Sequence, residues 1–268
     1  MIRVAHPQRQ LEFVMADRFE CCQATVSDAA RIAEIHMATL GSNAMLRAQF
    51  PSPTIRQALQ ICIAEKAEAD IMDKHITVLV VRHVGSDGTP KVIAFAKWSH
   101  PIVQDEQYVE APWALPEGTD YAVLNAWLDK IEVLYQQVVG DSPCYRKFPE
   151  YVRMSSIVDC VWHRCSSPQA AQAHVAAGLT YIATDPLYQR CGAGSLLLDW
   201  GVEQSKTYGH LLELESTLDA ADFYQRRRFE SRGSIHLQYI YSETGQTEEY
   251  EESMLVFTPP VRGELFLR

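Results

Sequence analysis

The sequence predicts a mixed α/β fold, most simply a single domain. Three observations predict it. Short runs rich in β-branched residues, "HITVLVVRHV" (75–84) and "KVIAFAKWSH" (91–100), alternate with segments whose apolar residues recur at helical spacing. The first two runs are joined by "GSDG" (85–88), a hairpin turn that makes them antiparallel. A later strand, "GLTYIAT" (178–184), leads through a glycine-bearing loop directly into a helix.

In chain order, residues 1–17 are unpatterned and read as an N-terminal arm, and residues 18–268 as one domain. "RFECCQATV" (18–26) reads as a strand whose Cys21 and Cys22 face opposite sides. Ser27 and Asp28 can cap a helix carrying Ile32, Ile35 and Leu40, and Thr54 a second helix running to about Ala69. The hairpin of 75–100 follows. Residues 101–176 are broken by prolines and read as an insertion, equally a lid or substrate wall or a structural element. One helix within it shows an apolar stripe of Leu124, Trp127, Leu128, Ile131, Tyr135 and Val138. After "GLTYIAT" come a helix to about Thr207, the strand "HLLELES" and a short helix from about Asp219 to Arg227. Closing strands near 234–241 and 253–257 flank an acidic stretch, with Glu248 to Glu252 read as a solvated turn.

Composition narrows the function. Acidic residues outnumber basic ones 34 to 24, and the net charge of −10 opposes attraction to nucleic acid or anionic membranes. No apolar stretch reaches the roughly 20 residues of a membrane span. Seven irregularly spaced cysteines and no secretory signal point to a reducing, cytoplasmic setting. Cys160, His163 and Cys165 lack a second ligand pair, so no metal is expected. Monomer and homodimer both remain open.

The informative stretch is "DPLYQRCGAGSLLLDWG" (185–201). Glycines at a strand-to-helix turn let an anion approach the unpaired N–H groups of the helix's first turn, where the macrodipole is positive. Arg190 can add a charge-assisted hydrogen bond. The competing reading is a packing turn, and Gly194, Leu197, Leu198, Gly201 and Val202 do share one helix face. Packing does not account for Gln189, Arg190 or Gly192. No Gly-Lys-Ser/Thr follows, and the third glycine of a dinucleotide fingerprint is missing.

"LTYIATDPLYQRCGAGSLLLDWG" resembles the acyl-CoA motif of the GNAT superfamily of N-acetyltransferases, in its fungal-type small-enzyme form. Gln189, Arg190, Cys191, Gly192, Ala193 and Gly194 satisfy the family pattern Gln/Arg-x-x-Gly-x-Gly/Ala, with Ser195 following. Downstream, Leu214, Glu215 and Thr217, then Phe223, Tyr224 and Phe229, resemble a second family stretch. The resemblance implies a mostly antiparallel sheet splayed at an acetyl-CoA site with helices on both faces, the 101–176 insertion as part of the acceptor site, and the pantetheine arm along Ile182, Ala183 and Thr184. It also implies a diphosphate on 189–195 and Tyr224 beside the CoA sulfur. Arg228 stands where the family has glycine, which implies a rebuilt turn.

The implied reaction is direct attack of a small-molecule amine on the thioester, with acetyl-CoA as co-substrate. Tyr224 would serve as acid, and Glu215 or His100 as base, with water sufficing otherwise. A CoA-binding sensor without turnover and a protein-lysine acetyltransferase are the alternatives.

Overall fold

The computed structural model describes residues 19–85, 88–100, 108, 110–138, 176–241 and 245–260. The arm of 1–17, most of the 101–176 segment, and with it Cys160, Trp162, His163 and Cys165, lie outside the described residues. Among the described residues seven strands build one sheet: β1 (Phe19–Gln23), β2 (Ile76–Val84), β3 (Pro90–Ser99), β4 (Ala176–Thr184), β5 (Leu211–Thr217), β6 (Glu230–Ile240) and β7 (Thr247–Phe257). Their spatial order is β1-β2-β3-β4-β5-β7-β6, and every pairing is antiparallel except β4 with β5. This is the mixed, mostly antiparallel sheet that the resemblance implies.

Among the described residues six helices flank it: α1 (Ala29–Leu40), α2 (Ala44–Gln49), α3 (Pro53–Met72), α4 (Tyr121–Val138), α5 (Ala193–Tyr208) and α6 (Leu218–Gln225). Helices α1 and α3 bury Ile32, Ile35 and Ala67 against Val78, Val80 and Phe95 of the hairpin. On β7, Met254 packs under α4, whereas Leu255 joins the core beneath α5 and α6. Adjacent strand residues face opposite sides, so helices cover both faces. Cys21 and Cys22 divide the same way, each into the core on its own face.

Local differences from the sequence reading have identifiable causes. A capping box between Thr25 and Asp28 closes a 3₁₀ turn ahead of α1, ending β1 at Gln23 rather than Val26. Helix α2 is a turn-and-a-half the periodicity did not reveal; Asn43 caps it by accepting from the Leu46 N–H at 3.1 Å. Ser52, not Thr54, caps α3, because Pro53 is suited to the first helical position. The acidic run is not a turn. Glu248 to Glu252 lie within β7, paired along β6, with Tyr250 buried.

Trp98 sets the contact between β3 and α5. Its ring occupies the space a Cβ on Gly201 would need, at 2.2 Å, so only glycine admits it there. Leu197 and Leu198 are fully buried on the same helix, each contributing about 1.5–3 kcal/mol. Among the described residues no helix is long and apolar enough to cross a membrane.

Candidate functional site

The sheet opens in the middle. Strands β4 and β5 pair only at Ala176–Leu211, Ala177–Leu212 and Gly178–Glu213. At this last rung Gly178 leaves room for the Glu213 carboxylate, whose Oε1 would lie 2.7 Å from a Cβ there. Beyond it β4 stays with β3 as far as Thr184, and β5 stays with β7 as far as Thr217. The two halves part, and a bulge in the β3–β4 register beside Lys97 and Trp98 adds a local kink to β4.

Parting leaves main-chain groups on β4 facing the gap. The Asp185 N–H donates to Ile93 O at 2.8 Å, so the two-residue alternation of the strand turns Ala183 towards β3. Ile182 and Thr184 then point their N–H and C=O away from it. The Thr184 carbonyl accepts from Thr39 Oγ1 at 3.2 Å and Gln189 Nε2 at 3.4 Å. Of the trio 182–184 expected to bind a ligand through its backbone, Ala183 is therefore committed to Phe95 within the sheet.

At the end of β4 the chain turns into α5. Asp185 accepts from the Leu187 N–H at 2.9 Å and pairs with Arg31. Burial opposes its charge, but these partners outweigh it and hold its carboxyl below the usual range. It caps the turn that follows β4. Gly192 is the N-cap of α5, with φ 97° and no side-chain cap on the helix. The first-turn N–H groups of Ala193, Gly194 and Ser195 thus lack both intrahelical partners and a capping side chain. A Cβ on Gly192 would meet nothing within 4 Å, so this glycine serves conformation and access rather than packing.

Gly194 is different. A Cβ there would stand 3.5 Å from Thr184 Oγ1 and 3.6 Å from Phe223, which ties the helix start to β4 and α6. Ala193 is buried in the core, Ser195 is half-buried, and the Cys191 thiol donates to the Tyr188 carbonyl at 2.6 Å. Arg190 is exposed and, like Arg228, has positive φ, at 65° and 67°. Arg228 thus keeps the left-handed turn expected to be rebuilt. Its N–H bonds Gln225 O at 2.9 Å, and the Phe229 N–H bonds Tyr224 O at 3.3 Å, which hold the turn closed.

Where the halves part lies a cavity of about 350 Å³. From the predicted residues it gathers Ile182, Glu215, Thr217 and Tyr224, together with Trp113. Tyr224 packs edge-on against Phe223 and Phe229. Burial pushes its hydroxyl well above the ordinary tyrosine range, so it stays protonated. Phe223 itself lies under the Arg227 guanidinium, 4.8 Å from the ring centre. His100 is not drawn in. It bonds Thr77 Oγ1 at 2.7 Å beside His75, away from the cavity lining.

Several lining residues escaped the sequence reading. Glu252 Oε1 accepts from the Tyr250 hydroxyl at 2.6 Å and Oε2 from Trp127 Nε1 at 3.1 Å, while Asn43 Nδ2 donates to the Tyr250 oxygen at 3.0 Å. Burial, then the adjacent carboxylate, raises the Tyr250 pKa and keeps it a donor. Across the cavity, buried Lys97 contacts Asp70 at 2.7 Å and Glu110 at 3.0 Å; Lys66 contacts Glu110 at 2.7 Å and also Asp70. Burial works against the charges of Lys97 and Glu110, yet their partners prevail, raising the first pKa and lowering the second. The alternation Tyr250, Glu252, Met254 was the available signal for the first group. Nothing local beyond the i,i+4 pair Lys66–Asp70 marks the second, because Lys97 and Glu110 are distant from that pair in sequence.

The chain matches no protein-family model, and comparison with curated proteins finds no match. Among solved structures it is similar to a histone acetyltransferase HPA2 and related acetyltransferase from Corynebacterium glutamicum, at 17% identity and TM-score 0.46 over 91% of this chain and 97% of that one. It is also similar to Arabidopsis thaliana NAA60, crystallised with a bisubstrate analogue, at 11% identity and TM-score 0.49 over 90% and 98%. A third similar structure is the Drosophila melanogaster polyamine N-acetyltransferase, at 12% identity and TM-score 0.47 over 90% and 99%.

Proposed function

We propose that the chain is a GNAT-type acetyltransferase that moves an acetyl group from acetyl-CoA to the amine of a small molecule. The observation that carries this reading is a juxtaposition: an uncapped, glycine-led helix start lies against the end of a strand whose backbone faces a split in the sheet. The helix start suits a diphosphate. The Ile182 main-chain groups and the Thr184 N–H suit an amide-rich arm, and the cavity beyond them gives the thioester and the amine a common space.

In this reading the amine nitrogen attacks the thioester carbonyl carbon, a C–N bond forms, and the C–S bond breaks. Glu215, on the cavity wall, takes the proton from nitrogen. Tyr224, kept protonated by burial, donates a hydrogen bond to the departing sulfur, which leaves as the thiolate and takes up a proton from solvent as Glu215 releases the one it accepted, giving the CoA thiol.

Calorimetric titration of CoA into Gly192→Val and Gly194→Val tests the cradle: both should bind at least about tenfold more weakly than wild type. Unchanged affinity in both would remove the diphosphate site. Rate–pH profiles of Tyr224→Phe test the donor; an unchanged turnover at every pH would eliminate that role.

A further inference from the structure

We infer that the acceptor amine has an apolar body bearing an uncharged hydrogen-bonding group, a hydroxyl or a carboxamide, and that His36 and Gln49 recognise that group. This rests on the acetyl-transfer reading and names the substrate class for it. His36, on α1, and Gln49, the last residue of α2, both line the cavity. They are 4% and 7% exposed, and neither side chain has a hydrogen-bond partner among the described residues. The His36 ring lies against Phe95 and Tyr181, with ring centres 6.3 and 4.9 Å away, contacts that leave its two nitrogens uncommitted. The main-chain carbonyl of Gln49 accepts from the Asp120 N–H at 2.8 Å, whereas its side-chain nitrogen is buried and unpaired among the described residues. Buried polar groups are paired as a rule, and one left unpaired costs about 1–3 kcal/mol. Two of them on the wall of one cavity call for a ligand that pairs them.

Their chemistry defines the ligand's group. Burial lowers the His36 pKa to about 4, so its imidazole is neutral and offers one donor and one acceptor. The Gln49 amide likewise offers both. A hydroxyl or a carboxamide answers either residue, because each also donates and accepts. A charged end group is disfavoured: neither His36 nor Gln49 carries an opposing charge to offset the hydration it loses. A plain hydrocarbon end is disfavoured for another reason, since it excludes water from both residues and makes no hydrogen bond in its place. Met45, Leu59, Leu124 and Leu128 line the same cavity and suit the hydrocarbon between the amine and this group.

The test is CoA-thiol release by the wild-type full chain, beside calorimetric titration of acetyl-CoA. The amines share one hydrocarbon body: hexylamine, 6-amino-1-hexanol, 6-aminohexanamide, 6-aminohexanoate and 1,6-diaminohexane. The hydroxyl or the carboxamide amine should exceed hexylamine and both charged amines at least about fivefold in kcat/KM, the least that pairing one buried polar group supplies. A smaller margin over any of these three would overturn the inference while leaving acetyl transfer intact. Binding of acetyl-CoA with no release by any amine would overturn both. In His36→Phe and in Gln49→Leu the preference for the favoured amine over hexylamine should fall by at least about threefold. A smaller fall in one variant would remove that residue from the recognition site, and a smaller fall in both would overturn the inference. The preference is a ratio of two amines on the same protein, so a partial loss of folded enzyme does not move it. The comparison among amines on the wild type stands even where a variant folds poorly.

Discussion

Replacing Lys97 by methionine removes one cation from the four-charge cluster between β3 and α3. Lys66 is then left facing both Asp70 and Glu110, and the buried cluster carries one net negative charge. Removing one partner of a buried ion pair costs about 3–5 kcal/mol. Glu110 is 21% exposed and can turn towards water, which places the expected loss near the lower bound, about 3 kcal/mol. That is a large share of the 5–15 kcal/mol typical of folded domains. Urea unfolding followed by tryptophan fluorescence measures it. The companion variant Asp70→Leu/Lys97→Met restores neutrality by leaving the Lys66–Glu110 pair at 2.7 Å. It should therefore be more stable than Lys97→Met alone by at least about 1 kcal/mol. The single variant should also recover stability as pH falls, because protonating a carboxylate relieves the imbalance. A loss below about 1 kcal/mol in Lys97→Met, or a double variant no better than the sum of its parts, would refute this account of the cluster.

Other expectations follow from single positions. Arg228 adopts φ 67°, where a side chain costs about 1–2 kcal/mol; Arg228→Gly should raise unfolding stability by up to about 1 kcal/mol, after the greater freedom of glycine in the unfolded chain is subtracted. Gly201→Ala should lower it by about 1–3 kcal/mol, since the new Cβ meets the Trp98 ring, and thermal unfolding reads that loss. Burial pushes His36 down to about 4, below its unfolded value of about 6.5. Its unfolded form therefore binds the extra proton first: stability is intact above pH 6.5 and declines as pH falls towards 4, by about 3 kcal/mol in all. In His36→Gln the unfolding free energy should lose that slope, measured by urea titration at several pH values.

The sequence carried the sheet well because its strands alternate or run β-branched, and the hairpin at 75–100 is joined by a turn of defined chemistry. It also carried the start of α5, since Gly192 has a conformational task that a side chain would make costly. Two parts were misread for the same reason: local character was taken for context. Glu248 to Glu252 look like a solvated turn because four of the five are acidic. Pairing with β6 makes them strand, and the period of two turns Tyr250 and Glu252 inward. His100 follows the end of β3, and Thr77 claims its ring. Apart from its i,i+4 pair Lys66–Asp70, the Lys66–Asp70–Lys97–Glu110 cluster was beyond any local reading, as it joins a helix, a strand and an irregular segment. The left-handed turn at Arg228 persists because two main-chain hydrogen bonds hold it, which a glycine-based rule does not anticipate.

The most direct test of acetyl transfer at the split sheet is amine-dependent release of CoA from acetyl-CoA, with the product amine followed by mass spectrometry. The account predicts release in proportion to an amine product heavier by one acetyl group, strongly reduced in Gly192→Val. An equal yield of acetylated amine in Gly192→Val, or acetyl-CoA that binds at wild-type Gly192 yet never acetylates an amine, would contradict it.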